Sequence, residues 1–402
     1  MALIVQKFGG SSVADAQRIF HVAEIITKTY QQGNSVCVVL SAQGDTTDDL
    51  IEKAREINPD ASRREMDMLL SCGEQMSIAL MAMAIEKLGF PVVSLCAWQI
   101  GMATDSNHSA AHITKVDCER VKEELDRKRI VLAAGFQGVD RTGDITTLGR
   151  GGSDTTAVAL AVALQADLCQ IYTDVDGVYT SDPRIVPEAR KLPEITYDEM
   201  LELASMGAQV LHNRSVELAK SYGVQLEVLS SFTGNPGTIV KEVVKKVEKT
   251  YITGVAQDKK IARFALVGLE DVPGVAYKLF NLLAKGKINV DMIIQSLGHD
   301  ERKDIIFTVA DKDSMACARL LDENKDVLKY DHMDINTGVS KVSIVGAGML
   351  ENAGVAAKMF EALYQAHINI HMISTSEIKV SVLIDKEDSD RAVRVIHNIF
   401  FQ

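Results

Sequence analysis

The chain has 402 residues, 47% of them hydrophobic, which is too much for one core and suggests two to four domains. Its 43 basic and 55 acidic residues give a formal net charge of −12, which argues against nucleic acid as a partner, because neutralising phosphates takes clustered Lys and Arg. Six scattered cysteines without a C-x-x-C pair point to reduced core thiols; no leader-like segment opens the chain, and the longest unbroken apolar run, Ala157 to Leu164, falls far short of the ~20 residues of a membrane span. The reading is a soluble cytoplasmic protein, with no membrane partner.

Over the first 240 residues, short apolar runs alternate with helical patterns. Strands are predicted at Leu3–Phe8, Val36–Leu40, Pro91–Cys96, Ile130–Ala134, Leu168–Tyr172 and Leu226–Leu229. They are almost continuously apolar, as parallel strands buried on both faces are. Helices are predicted at Val13–Tyr30, Arg63–Leu88, Val116–Lys128, Asp154–Gln165, Tyr197–Met206 and Asn213–Tyr222. The alternation implies a layered α/β domain with a mostly parallel sheet, in which ligands sit at the carboxyl ends of strands against helix N-termini.

Several strand ends carry residues suited to such a site. In "KFGGSS", Lys7 ends the first strand, Gly9 and Gly10 bare their amides, and Ser11 and Ser12 are placed to cap the next helix, which together make an anion cradle. "LSAQGDTT" continues the second strand through Ser41 to Thr47. "SCGEQ" puts Glu74 at a helix head by its residue type, where the macrodipole favours an acid, and the methionines at 76, 81 and 83 read as core packing. "GRGGSDTTA" sets Arg150, Gly151, Gly152, Ser153 and Asp154 before a helix that is apolar all round. Arg150 suits bidentate grip of a carboxylate, and Ser153 or Asp154 suits the N-cap. "TDVDGVYTSDPR" ends a strand at Thr173 and brings Asp174 and Asp176, which suit orientation of a lysine or a metal–nucleotide. No G-x-x-x-x-G-K-[ST] loop occurs. "VSIVGAGMLENAG" fails as a dinucleotide fingerprint, because Glu351 stands where the third glycine is needed.

The charged stretch Val240–Thr250 reads as a connector. Beyond it the chain repeats. Asp271–Ile293 returns as Glu351–Ile373 at an offset of 80, with ten of 23 positions identical, among them Gly274, Lys278, Phe280, Asn289 and Met292. With strands at Ile261–Gly268, Asp304–Ala310, Lys341–Gly346 and Ile378–Ile384, each copy is a small α+β sandwich. The domains are then 1–240, a connector with the first regulatory strand at 241–260, and two repeats at 261–337 and 338–402.

Taken together and in this order, the five strand-end motifs, with "GAQVLHNRSVELAK" at Gly207–Lys220, resemble the aspartate kinases of the amino acid kinase family, and the C-terminal repeat resembles their tandem ACT domains. The resemblance covers essentially the whole chain. It implies a three-layer αβα kinase fold followed by two ferredoxin-like ACT domains. It also implies transfer of the ATP γ-phosphoryl group to the β-carboxylate of L-aspartate, the first step toward lysine, threonine and methionine, with Mg2+ held mainly through the nucleotide phosphates and no dedicated metal site.

Carried over by position, the resemblance gives Lys7 and Asp174 catalytic roles, Asp174 by orienting the lysine. It lines the ATP site with Lys7, Phe8, Gly9, Gly10, Ser41, Thr173, Asp174, Tyr179, Thr180, Ser181, Asp182, Pro183 and Arg184. The amino acid falls to Thr47, Glu74 for its ammonium, Arg150 for its α-carboxylate, and Gly151, Gly152, Ser153 and Asp154. Effector elements fall at Asp271, Gly274, Asn289, Asp291, Met292 and Gln295, and in the second copy at Asn369, Ile370, Thr375 and Glu377, for lysine, threonine or both. Pairing of ACT units implies at least a homodimer. Gln209 and Asn213 depart from the family's pattern, where lysine and proline are common. Two rivals stay open: a kinase of N-acetylglutamate, glutamate or carbamate, and a non-catalytic ACT amino-acid sensor.

Overall fold

The computed structural model describes residues 2–205, 210–244, 252–296, 302–349, 352 and 354–402. The predicted Gln209 contact and part of the connector lie outside them. The chain divides into two compact units. The first comprises 1–179, 190–205 and 209–246; the second comprises 180–189, 206–208 and 247–402.

The first unit is built on an eight-stranded sheet. Its order is Glu194–Thr196, Thr238–Lys241, Leu226–Ser230, Leu168–Thr173, Leu3–Phe8, Ser35–Leu40, Ile130–Ala134, Val92–Leu95. Every pairing is parallel except that of Thr238–Lys241 with Leu226–Ser230. Leu3–Phe8 lies at the centre. From it the chain winds first toward Ser35–Leu40 and later, on its other side, to Leu168–Thr173. This reversal makes a topological switch point, where the crevice at strand carboxyl ends accepts ligands.

The apolar runs are buried as expected: Val36 to Leu40 and Ile130 to Ala133 have no accessible surface. A second, four-stranded sheet of Ile113–Val116, Met102–Thr104, Gln137–Val139 and Ile145–Thr147 has strands too short to show a period in sequence. It turns the predicted helix start at Val116 into a strand end, and the helix runs over Glu119–Asp126. The helix Thr46–Ile57 was also not predicted, because its polar composition gives it no buried residue.

Arg63–Lys87, 25 residues long, is apolar and long enough to cross a membrane by composition and length alone. Here it packs its inner face into the first unit, and that face includes buried Asp67 and Glu74. Met81 is fully buried in the core, whereas Met76 and Met83 are about half exposed, so only one of the three methionines is core packing.

The second unit holds two four-stranded antiparallel sheets of the same order. One is Val290–Gln295, Arg302–Ala310, Ile261–Glu270, His332–Asn336. The other is Met372–Thr375, Lys379–Asp385, Val339–Val345, Gly254–Asp258. The strand within the predicted connector region therefore completes the second repeat and not the first, so the first repeat is inserted into the second. Ile261, Met292, Val339, Met372 and Leu383 form a core shared by the two repeats.

Candidate active site

The turn after the first strand differs from the expected cap. Gly10–Val13 form a single 3-10 turn, and the helix starts at Ala16 with Asp15 as N-cap, its carboxylate accepting from the Arg18 amide at 2.9 Å. Ser11 and Ser12 are thus not caps; the Ser12 hydroxyl meets that of Ser231 at 2.8 Å. Gly10, though not Gly9, is required by close approach. A Cβ on Gly10 would stand 2.6 Å from the Ala42 carbonyl oxygen, and one on Gly9 would stand 3.6 Å from Lys7 Nζ. The Gly9–Gly10 turn is therefore pressed against the loop after the second strand, where the Ser41 amide donates to Phe8 O at 3.2 Å and the Gly44 amide to Gly10 O at 3.0 Å.

Lys7 leaves the carboxyl end of the central strand and pairs with Asp154 at 2.7 Å, both side chains only 12–13% exposed. The resemblance assigned the orienting role to Asp174. In the structure that carboxylate accepts instead from its neighbour Thr173 Oγ1, at 3.0 Å. Asp176 is engaged by Tyr179 Oη at 2.7 Å, by Lys191 and by Asn235, and the Tyr179 hydrogen bond first among these holds its carboxyl below the usual range. Asp176 therefore fastens its own loop.

Asp154 lies in the first turn of Gly152–Leu164, a helix capped by Gly151 at φ 69°. Neither Ser153 nor Asp154 is the cap, because the left-handed Gly151 takes that position. A Cβ on Gly151 would fall 2.2 Å from the His212 ring, so only glycine fits there. Arg150, just before it, is exposed, and no ion pair forms on its guanidinium among the described residues.

Glu74 sits in mid-helix and not at a helix head, because the apolar helix continues from Arg63 to Lys87 without a break. It is 4% exposed. Its Oε1 accepts the Ala42 amide at 3.1 Å, while Oε2 has no hydrogen-bond partner among the described residues. Burial pushes its carboxyl up to about 7. Gly73 brings the helix close enough for this contact, since a Cβ there would stand 2.8 Å from Ala42 Cβ. Thr47 opens the adjoining helix next to Thr46, which also faces Gly73.

The structure thus gathers Lys7, Gly9, Gly10, Ser41 and Asp154 around the ends of the two central strands, with Glu74 tied to the same loop through Ala42. Phe8 stacks on Tyr172 at 4.4 Å beneath them. It divides the last motif: Tyr179 belongs to the first unit, and Thr180, Ser181, Asp182, Pro183 and Arg184 to the second. There the Thr180 hydroxyl meets His397 Nε2 at 2.9 Å, and Arg184 closes on Asp182. Sequence reasoning missed Ala42, whose contribution is a backbone amide, and Asp67 and Arg214, which shape the Arg150 loop.

Among the effector candidates, Asp271 pairs with Lys303 at 2.9 Å, Asp291 pairs with Lys341, and Met292 is buried in the core shared by the repeats. Gly274, Asn289, Gln295, Asn369 and Thr375 are exposed and Ile370 half-buried. Glu377 lines a cavity of about 240 Å³ with Asn352, Gly354 and Ser376.

A lysine at the switch point beside bare amides, with a buried acid and an exposed arginine on neighbouring elements, makes a crevice suited to a small charged ligand. Residues 2–230 match the model of the amino acid kinase family, and 264–324 and 342–400 match an ACT domain. The chain belongs to the amino acid kinase family. It is 50% identical over its whole length to an aspartokinase of Mycolicibacterium smegmatis, of which it covers 96%, and 48% identical to one of Bacillus sp. (strain MGA3), of which it covers 97%. E. coli aspartokinase III aligns over all of both chains at 26% identity. Its TM-score is 0.84 in the complex with aspartate and ADP, described as the R-state, and 0.78 in the complex with lysine and aspartate, described as the T-state. Within its family the chain falls among the aspartokinases.

Proposed function

We propose that the chain phosphorylates L-aspartate on its β-carboxylate with ATP, giving 4-phospho-L-aspartate and ADP, and that its ACT repeats bind the amino acids that restrain it. The observation that carries the reading is Glu74: a buried carboxyl with one oxygen unpartnered and its proton affinity raised to about 7. A substrate ammonium supplies both the missing hydrogen bond and the missing charge. A blocked or absent amine cannot, which argues against N-acetylglutamate and carbamate. Arg150, exposed beside the bare turn Gly151–Gly152, suits the α-carboxylate, and Ser153 and Thr47 add hydroxyls.

The remaining carboxylate is the nucleophile and needs no general base. One of its oxygens attacks the γ-phosphorus as the bond to the bridging oxygen of ADP breaks, and no proton moves. Such transfer asks for positioning and for compensation of charge on the γ-oxygens. The amides of Gly9 and Gly10 and the Lys7 ammonium provide it, with Asp154 holding the lysine. Phe8, Ser41, Thr173, Asp174 and Tyr179 complete the nucleotide side of the first unit. Mg2+ accompanies the nucleotide, held mainly by its phosphates, and supplies further charge compensation; the bare amides and acidic strand ends of this site suit an ion that brings most of its ligands with it.

We read the protein as a cytoplasmic enzyme, at least a dimer through its ACT units, with lysine, threonine or both as effectors. The test is ADP release measured with aspartate, glutamate and N-acetylglutamate, then with aspartate plus lysine, threonine or an equal mixture. Release with aspartate alone among the substrates supports the reading. No release with aspartate refutes it, and inhibition by none of the effectors refutes the regulatory half.

A further inference from the structure

We infer that Asp67 is a positioning residue for amino-acid recognition. From the inner face of the helix that carries Glu74, it fixes the loop that carries Arg150, and so sets the spacing of the two charges that grip the substrate. The inference rests on the assignment of Arg150 and Glu74 to the substrate's two ends.

Asp67 has no accessible surface. A carboxylate buried to that degree is retained only if its oxygens are fully used. They are. Thr147 donates its amide to Oδ2 at 3.0 Å and its hydroxyl to Oδ1 at 2.7 Å. Ser109 donates its amide to both oxygens, at 3.1 and 2.9 Å, and its hydroxyl to Oδ1 at 3.3 Å. His108 Nδ1 stands 3.1 Å from Oδ2. One side chain therefore binds two separate stretches of chain, one of which ends three residues before Arg150. An asparagine keeps one acceptor oxygen and turns the other into an NH2 group facing the Ser109 amide, so it loses about half of these bonds and sets donor against donor.

The second stretch is held in a conformation it would not adopt alone. Ser109 has φ 69°, unusual for a residue with a side chain. Such residues persist where their surroundings over-determine them, and they cluster at binding sites. The consequence falls on the Arg150 loop: the Ser109 carbonyl oxygen lies 3.1 Å from where a Cβ of Gly149 would stand, and Gly149 itself has φ 77°. Arg214 closes the arrangement, donating to Leu148 O at 2.9 Å and to Ala111 O at 2.8 Å, while the Ala111 amide donates to Thr147 O at 2.9 Å. The root of Arg150 is thus fixed to Asp67. Asp67 and Glu74 share a buried helix face seven residues apart, about two turns or ~10 Å along a rigid rod. Asp67 touches neither Arg150 nor Glu74 but fixes the base of one relative to the other.

The test compares Asp67→Asn, Arg150→Ala and the double variant in the full-length protein, with Ile78→Val, a core change on the same helix, as control. Steady-state KM for aspartate and for ATP, kcat and Tm are read for each. Arg150→Ala raising KM for aspartate verifies the underlying assignment; an unchanged KM there overturns both that assignment and the inference. Given that rise, Asp67→Asn is expected to raise KM for aspartate roughly tenfold, to leave KM for ATP within about twofold, and to add little in the Arg150→Ala background. Ile78→Val lowers Tm without moving either KM. An unchanged KM for aspartate in Asp67→Asn, an equal rise for ATP, or effects that multiply in the double variant overturns the inference while the Arg150 assignment stands. If Asp67→Asn fails to fold, Thr147→Val removes one of the same hydrogen bonds and keeps the carboxylate; it is expected to raise KM for aspartate about threefold, and no rise overturns the inference.

Discussion

The two units bury polar groups to different ends. In the regulatory unit, buried hydroxyls answer one another: Ser340 meets Ser389 at 2.7 Å, and Ser343 meets Ser381 at 2.7 Å. The first repeat of the same unit has an apolar core of its own, with Phe264 stacked on Phe307 at 5.5 Å. In the kinase unit, burial collects charge at strand ends and leaves some of it incomplete. Lys7 and Asp154 pair in a nearly closed site, and Glu74 keeps one oxygen without a partner. The difference teaches how to tell chemistry from architecture. What sets the kinase unit apart is the kind of group left open: Glu74 is a buried carboxyl, whereas the regulatory unit leaves a hydroxyl, Ser181 Oγ, and one guanidinium nitrogen, Nε of Arg263, whose side chain is already paired with Asp334. An unpartnered acid beside bare turns is a place for a substrate's charge.

The comparison breaks most sharply at Lys7. Lys7→Ala should lower kcat by roughly 100- to 1,000-fold with an unchanged circular dichroism spectrum, since one positioned cation at the transferring group is lost. Near-normal turnover would remove the lysine from the chemistry. The matching change in the other unit is Phe264→Ala, which opens a cavity in a core without charge. It should destabilise by about 3–5 kcal/mol in chemical denaturation, and should blunt effector inhibition more than it lowers kcat in the assay without effectors.

Glu74 gives a pH signature. Its carboxyl titrates near 7 and must be ionised to hold an ammonium, so kcat/KM for aspartate should fall about tenfold per unit as pH drops below 7, and level off above it. Because its folded pKa lies above the ordinary 4.5, the folded protein keeps a proton that the unfolded chain releases as pH rises from 4.5 to 7. This group's contribution is therefore present at low pH and lost as pH rises through 7. Glu74→Gln should then stabilise the protein at pH 8, by on the order of 3 kcal/mol at most, while raising KM for aspartate and flattening the pH profile. A destabilised Glu74→Gln would show that the carboxylate is structural. The smallest expected effect is that of Ser343→Ala, which leaves one buried hydroxyl without its partner, costing about 1 kcal/mol with kcat unchanged.

Much of this was legible in the residues. Leu3–Phe8 and Ile130–Ala134 fall where their continuous apolar runs placed them, because a strand buried on both faces announces itself by composition. The repeat was legible because ten identities at one offset persist whatever the chain does between them. The position of Lys7 at a strand end and the bare turn after it were legible because two glycines directly after an apolar run mark where the strand stops. Ser11 and Ser12 misled because two hydroxyls before a helical pattern look like caps, and Asp15, nearer the true start, carries the same chemistry.

What sequence by itself determined is local: which stretches are strands or helices, which turns are bare, and that the C-terminal part is one unit written twice. Tertiary structure alone decided that Asp154 and not Asp174 meets Lys7, that Glu74 lies in the dry middle of a long helix, and that Gly254–Asp258 completes the second repeat. It also decided that Asp67 reaches across 42 and 80 positions to Ser109 and Thr147. The physical reason is range. Period, propensity and turn chemistry act between near neighbours along the chain, whereas charge pairing, burial and strand pairing depend on distance in space, which only the finished packing sets.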